Sequence, residues 1–451
     1  MTLYFGGKGM SKIHRHLSSS QIIILGFLGI ILFGALLLML PFATRDHLGA
    51  TFADALFTST SAVCVTGLIV QDTATYWSTF GQVVILCLIQ IGGMGIVTVA
   101  VAIATISGKR ISLKQRSTMQ DSISAPKVGG IVRLTGFIIR STILFEAIGA
   151  VLLSIVFCRE FGLLKGIWYG IFHSISAFCN AGFDLMGVRE KFSSLTAFVG
   201  NPIINFTIMG LIVTGGIGFL TWEDIKTNKF HIRRYRMQSK VILVTTALLI
   251  LVPAVLFFFM EFTEGSLGQR LLSSLFQSVT PRTAGFNTVD LTLISEAGIA
   301  LTIILMIVGG SPGSTAGGMK TTTLAVLLST ALSVFRRREH THFYGRRIDG
   351  DTIRSAATIL MMYMVLFITG GFIISRVEGL PVLTCLFETA SAVGTVGLTL
   401  GITPSLGMIS RGILVILMYL GRVGGLTLIF ATVASKQGNT ARLPQEKMTV
   451  G

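Results

Sequence analysis

Gly67, Gly182, Gly285 and Gly397 each close a run of small residues that follows a short amphipathic stretch opening on phenylalanine. The runs are Phe57-Thr-Ser-Thr-Ser-Ala-Val-Cys-Val-Thr-Gly67, Phe172-His-Ser-Ile-Ser-Ala-Phe-Cys-Asn-Ala-Gly182, Phe276-Gln-Ser-Val-Thr-Pro-Arg-Thr-Ala-Gly285 and Phe387-Glu-Thr-Ala-Ser-Ala-Val-Gly-Thr-Val-Gly397. Their glycines lie 115, 103 and 112 residues apart, which makes them a fourfold internal repeat. The chemistry open to such residues belongs to the main chain. Glycine adopts backbone angles that other residues resist, and extended backbone at membrane depth is tolerated only against protein or a watery cavity. Four such strands around one axis can replace the hydration shell of a cation with carbonyl oxygens. The candidate ligands are Val65, Thr66 and Gly67; Asn180, Ala181 and Gly182; Thr283, Ala284 and Gly285; and Thr395, Val396 and Gly397. Only the glycine is constant, as expected where the ligands are backbone carbonyls.

The surrounding positions repeat as well. Thr58, His173, Gln277 and Glu388 are equivalent, and Ser61, Ser176, Thr280 and Ser391 supply a hydroxyl three residues later. The third run is one residue shorter and carries Pro281 and Arg282. Among the apolar stretches that follow, Ile91-Gly-Gly-Met-Gly-Ile-Val-Thr98 and Thr214-Gly-Gly-Ile-Gly-Phe-Leu-Thr221 align with Leu420-Gly-Arg-Val-Gly-Gly-Leu-Thr427, so Arg422 replaces Gly93 and Gly216. An arginine inside a span is costly and marks a functional position by default. It faces a pore, where it opposes a passing cation, or it forms a buried ion pair with Glu146. The third stretch is interrupted by Gly309-Gly-Ser-Pro-Gly-Ser-Thr-Ala-Gly-Gly-Met-Lys320, too rich in glycine and proline to hold a regular helix. Met319 separates Gly318 from Lys320 and no strand precedes the run, which argues against a phosphate-binding loop. A gate beneath the cation ligands is the better reading, built from Gly310, Ser311, Gly313, Ser314, Thr315, Gly317, Gly318 and Lys320, with Arg422.

Composition sets the surroundings of this chemistry. Of 451 residues, 51% are hydrophobic and 12% charged, and the mean hydropathy is +0.77, the balance of an integral membrane protein. The net charge of +16 is topological, not a nucleic-acid signal: segments 1–20, 107–133, 222–240, 336–354 and 436–451 hold 24 of the 36 lysines and arginines. Both termini are therefore expected in the cytoplasm, with the glycine runs dipping in from outside. The apolar run Ile22 to Leu40 is too long, and lacks the cleavage site, for a signal peptide, so it reads as a retained span. Trp77, Trp168 and Trp222 read as interfacial anchors. Cys64, Cys87, Cys158, Cys179 and Cys385 are scattered and give no disulfide frame or metal spacing. The loop Arg336 to Arg347 either attracts anionic lipid or an acidic partner, or simply sets topology; His340 and His342 alone make a poor metal site. With no nucleophile beside a histidine and a carboxylate, the chain does not read as an enzyme.

The predicted fold is an all-α polytopic membrane protein of four span, pore-helix, span repeats, arranged with pseudo-fourfold symmetry around one central pore. About 20 apolar residues cross a bilayer and half that number reach its middle. The eight transmembrane helices are expected near 21–42, 79–106, 131–157, 200–221, 241–261, 294–335, 354–376 and 407–434, and the pore helices near 51–64, 166–179, 270–280 and 381–393. A cytoplasmic segment 1–20 precedes repeat I (21–106), and repeat II (107–221) opens on a cytoplasmic basic loop. Repeat III (222–335) carries the gating loop 309–320, repeat IV (336–434) opens on a second cytoplasmic basic loop, and 435–451 is a cytoplasmic tail.

These features together resemble the Ktr/Trk/HKT superfamily of potassium transporters, and most of all its KtrB-like membrane subunits, over residues 18 to 451. The resemblance implies potassium as the ion, the only metal, held at the carbonyls around Gly67, Gly182, Gly285 and Gly397. In the plant branch a serine at the first filter glycine goes with sodium selectivity, so Gly67 favours potassium. It implies too that the loop Gly310 to Lys320 and Arg422 form the gate, with sodium a candidate stimulating ion. The implied setting is the bacterial plasma membrane, where the chain forms a homodimer in the lipid bilayer. Its expected partner is a cytosolic regulatory ring of the KtrA/TrkA kind that binds adenine nucleotide, with no cofactor on this chain and no nucleic acid. The alternative is a secondary transporter of a monovalent cation coupled to sodium or protons. Such folds often use inverted repeats, whereas even numbers of spans give all four repeats here one orientation.

Overall fold

The computed structural model describes residues 18–107, 111–123 and 130–425. Most of the expected N-terminal segment, parts of the first basic loop, the end of the eighth span from residue 426, and the tail 435–451 lie outside the described residues. The chain opens with α1 (Ser19–Leu38), α2 (Phe52–Val63), α3 (Thr79–Met94), α4 (Ile96–Ile106) and α5 (Leu113–Ile123). Next come α6 (Ile131–Phe161), α7 (Leu163–Phe178), α8 (Pro202–Ile217) and α9 (Phe219–Asn228). They are followed by α10 (Met237–Met260), α11 (Leu267–Val279), α12 (Glu296–Ile307) and α13 (Thr321–Phe335). A small antiparallel hairpin of β1 (His342–Phe343) and β2 (Arg346–Arg347) leads to α14 (Gly350–Glu378), α15 (Val382–Gly394) and α16 (Met408–Val423).

Four of these helices, α1, α6, α10 and α14, are individually long and apolar enough to cross a membrane. Each is followed by one of the short helices α2, α7, α11 and α15, which carry the phenylalanine runs. Phe57, Phe172, Phe276 and Phe387 are all buried to 1% exposure or less, so the residue that opens each run is a core anchor. A hydroxyl two residues further on ties three of the short helices to their long partners. Ser59 donates to the Ile31 carbonyl at 2.7 Å, Ser174 to that of Glu146 at 2.6 Å and Thr389 to that of Phe367 at 2.9 Å. Gly34, Gly149 and Gly370, each three residues after the acceptor, leave room for that hydroxyl-bearing side chain. The third quarter differs: Ser278 bonds within its own helix, and Arg270 instead donates to the carbonyls of Phe258 and Phe262.

The expected straight spans 79–106 and 200–221 are not straight. The chain turns by 96° between α3 and α4 and by 94° between α8 and α9. The cause is local, because Gly95 and Gly218 sit at φ of 84° and 96°, outside the right-handed helical region. Gly424, which aligns with both, has φ 86° and ends α16. At Gly218 an added methyl would also lie 2.6 Å from the Pro312 carbonyl. Gly218→Ala is therefore expected to cost roughly 1–2 kcal/mol, seen as a lower unfolding temperature of the purified protein. Gly216→Ala, a helical position whose nearest neighbour is 3.8 Å away, is the matched substitution expected to leave it unchanged.

The tryptophans are held by protein contacts. Trp77 is fully buried, Trp168 donates to Gln82 Oε1 at 3.0 Å, and Trp222 donates to the Thr214 carbonyl at 2.9 Å. Trp77 in particular cannot serve as the interfacial anchor expected from its sequence position, since no part of it reaches the surface.

Candidate functional site

The four glycines meet. A methyl carbon placed on Gly67 would come within 2.7 Å of the Ala181 carbonyl, on Gly182 of the Ala284 carbonyl, on Gly285 of the Val396 carbonyl, and on Gly397 of the Thr66 carbonyl. The contacts close in chain order into a ring of four backbones. Val65, Asn180, Thr283 and Thr395 share left-handed φ values of 56°, 59°, 62° and 52°, and the glycines two residues on have 90°, 70°, 79° and 92°. A left-handed non-glycine residue costs about 1–2 kcal/mol. Four equivalent instances persist only because the surroundings determine them.

Those surroundings are the ends of the short helices. The amides of Thr66, Ala181, Ala284 and Val396 donate to the carbonyls of Ser61, Ser176, Thr280 and Ser391 at 2.8, 2.7, 3.0 and 2.8 Å. The side-chain hydroxyls then diverge. Ser61 and Ser391 each accept from the amide of their own ring glycine at 3.0 Å, whereas Thr280 donates to the Phe286 carbonyl. Ser176 Oγ is buried with no partner among the described residues. The second residue of each run braces the backbone leaving the ring in two quarters. His173 Nδ1 lies 2.7 Å from the Tyr169 carbonyl, which fixes its proton there and leaves Nε2 to accept from the Leu185 amide at 3.3 Å. Glu388 accepts from the Leu400 amide at 3.3 Å and the Thr403 hydroxyl at 2.8 Å, and also from Thr399. Among the described residues, Gln277 reaches only Thr302, at 3.5 Å, and Thr58 Oγ1 is buried without a partner.

The interrupted stretch between α12 and α13 packs against the ring. Gly309 donates to the Met319 carbonyl at 2.8 Å and Thr321 to that of Gly310 at 3.0 Å, so the loop closes on its own base. Ser311 joins this closure through the Thr321 hydroxyl at 3.0 Å. Its outer part is held by the second quarter: Ser311 and Thr315 amides donate to the Gly216 and Gly215 carbonyls, and the Phe219 amide to that of Gly313. Gly317 and Gly318 lie against Thr395 and the Gly394 carbonyl of the fourth quarter. Lys320 turns back to the Ala316 carbonyl at 2.9 Å and that of Gly317 at 3.4 Å. Ser314 Oγ is buried and has no hydrogen-bond partner among the described residues.

Arg422 completes the site from the other side. Its guanidinium donates to the carbonyls of Thr315 and Gly92, and at 3.2 Å to that of Gly93. Its hydrogen bonds thus go to main-chain oxygens, and Glu146 is instead approached by Gln90 at 3.3 Å. The ion-pair reading of Arg422 is not what forms. A single side chain instead joins the fourth quarter to the first quarter and to the loop. A cavity of about 200 Å³ opens below, lined in part by Gly93, Gly95, Ser314, Lys320, Tyr363 and Arg422. The ring can offer carbonyls to a dehydrated cation, and the loop packs against the ring and is hydrogen-bonded to Arg422.

Sequence reasoning missed three features. The hydroxyls at Ser59, Ser174 and Thr389 recur at one offset from the phenylalanine and could have been found by alignment. So could the shared bend glycines. The approach of Asn180 to Thr315, at 3.0 Å, has no local signal.

The family model of TrkH cation transport proteins matches residues 18–443. The chain is 39% identical to the potassium/sodium uptake protein NtpJ of Enterococcus hirae, with 98% of this chain and 99% of that one covered. It is 38% identical to the Ktr system potassium uptake protein B of Bacillus subtilis, with 96% of each covered. The crystal structure of the potassium transporter TrkH from Vibrio parahaemolyticus shares the fold, with a TM-score of 0.74 over 93% of this chain and 86% of that one at 20% identity. The ring of four glycine strands thus sits in a multi-pass membrane chain that belongs to the TrkH/Ktr family of cation transport proteins, which are transporters rather than enzymes.

Proposed function

We propose that this chain takes up potassium across the bacterial plasma membrane through a filter of backbone carbonyls at Val65–Gly67, Asn180–Gly182, Thr283–Gly285 and Thr395–Gly397. The four repeats surround one central pore with pseudo-fourfold symmetry, the short helices acting as pore helices. The observation that carries this reading is the closed ring of four glycine backbones, each facing the carbonyl that precedes the next glycine. The names of the relatives, potassium/sodium uptake protein and Ktr system potassium uptake protein B, support the choice of ion. The loop 309–320 and Arg422 form the gate, a reading supported by the packing of the loop against the ring and by the hydrogen bond that joins the two. Both termini are cytoplasmic, where the basic segments collect. A homodimer working with a cytosolic, nucleotide-binding regulatory ring, with sodium as a stimulating ion, completes the proposal.

The test is growth of a potassium-uptake-deficient bacterial strain at limiting potassium. The chain together with a cytosolic ring subunit is expected to restore growth, and the chain alone to restore it weakly. Failure to restore growth by a chain that reaches the membrane, with its partner present and with sodium supplied, contradicts the proposal.

A further inference from the structure

Asn180 is unlike its counterparts in the ring, Val65, Thr283 and Thr395. Its side chain is fully buried and bonded on both ends. Nδ2 donates to the Arg282 carbonyl at 3.3 Å, in the strand of the next quarter, and to the Ile212 carbonyl at 3.4 Å. That use of the amide nitrogen turns Oδ1 toward the interrupted loop, where the buried Thr315 hydroxyl lies 3.0 Å from it and 3.0 Å from the Phe178 carbonyl. The Thr283 and Thr395 hydroxyls, by contrast, have no hydrogen-bond partner among the described residues. Gly215 makes the approach possible, since a methyl there would lie 2.8 Å from both Asn180 Oδ1 and Thr315 Oγ1. One buried side chain therefore joins the second strand, the third strand and the loop.

We infer that Thr315 and Asn180 latch the gate loop to the filter, so that ion selection and gate closure are coupled through one buried hydrogen-bonded pair. The inference rests on the potassium-filter reading above. With the latch formed, the loop holds the second strand in its left-handed turn and the third strand in register through Arg282. When the loop leaves, Asn180 Oδ1 loses its partner and the second strand loosens. Thr315 is thus a positioning residue for selectivity, although it lies 135 residues beyond Asn180 in the strand it holds. A loop that acts as a plug alone predicts no such effect.

The experiment measures potassium and sodium flux into proteoliposomes containing the full-length chain. Thr315→Val keeps the shape and removes the hydroxyl; Thr315→Ser keeps the hydroxyl. Thr315→Val is expected to raise flux and lower potassium over sodium discrimination by about tenfold, the order of one buried hydrogen bond. Thr315→Ser is expected to keep both near the unsubstituted values. Asn180→Thr, the residue found in the third and fourth strands, should lower discrimination similarly, and combining it with Thr315→Val should add little. Higher flux with unchanged discrimination in Thr315→Val overturns the coupling and leaves a plain plug. So does unchanged behaviour of Thr315→Val when Gly285→Ser lowers discrimination in the same preparation. If Gly285→Ser changes nothing either, the filter assignment itself fails, and the inference with it.

Discussion

Gly397→Ala is expected to abolish selective potassium uptake while the protein still reaches the membrane. Two costs combine at this position. Its φ of 92° is left-handed, and the methyl would press on the Thr66 carbonyl, closer than any real contact of that kind allows. The neighbour is backbone, so relief must move a proposed cation ligand. A cost of about 3 kcal/mol at the ring corresponds to roughly a hundredfold in rate. Gly401→Ala separates the two costs, because Gly401 shares the left-handed backbone, at φ 86°, but has open space around it. Uptake by Gly401→Ala should stay within a few-fold of the unsubstituted chain. Equal loss in both would mean that backbone strain, not the ring contact, is responsible.

The second large effect is expected at Arg422. Its guanidinium joins the carbonyls of Gly92 and Gly93 in the first quarter to that of Thr315 in the loop. Hydrogen bonds to a charged group are each worth about 1.5–3 kcal/mol. Arg422→Ala removes these bonds together with the positive charge of the proposed gate. Flux without the cytosolic partner should rise by about tenfold or more. Arg422→Lys retains the charge but not the planar fork that reaches several carbonyls at once. It should give an intermediate rise, measured as initial uptake in the same cells. Arg422→Ala with unchanged flux in a correctly inserted protein would leave the side chain a purely structural role.

What could be read from the chain was set by backbone need. A residue that must take positive φ at a crowded contact has few alternatives to glycine, so Gly67, Gly182, Gly285 and Gly397 announce themselves by spacing. The break at Gly309 to Lys320 was legible for the same reason, since glycine and proline rule out a regular helix. The bends at Gly95 and Gly218 escaped because an apolar helical stretch runs into each glycine and the next residues, Ile96-Val97 and Phe219-Leu220, are apolar too, and hydropathy alone cannot separate a span from a turned one. Arg422 was legible as an anomaly but its partners were not. Main-chain carbonyls carry no sequence signature, and Glu146, an acidic residue within the third span, was the partner the sequence suggested. The pairing of Asn180 with Thr315 joins segments 135 residues apart and exists only once the ring has closed.

The divergence among the quarters is also physical. Ser61 and Ser391 support their ring glycines in the same way, while Thr280 serves Phe286 and Ser176 has no side-chain partner among the described residues. The first and fourth quarters therefore hold their ring glycines through a serine hydroxyl. The second and third are joined through Asn180 and the Arg282 carbonyl, and the second also takes the loop.

The central claim is that the glycine ring selects potassium. Reversal potentials under opposed potassium and sodium gradients, for the purified full-length chain and for Gly67→Ser, test it most directly. The unsubstituted chain should sit close to the potassium equilibrium potential, and Gly67→Ser should move well toward that of sodium. A Gly67→Ser protein that conducts with the same reversal potential as the unsubstituted chain would contradict the account.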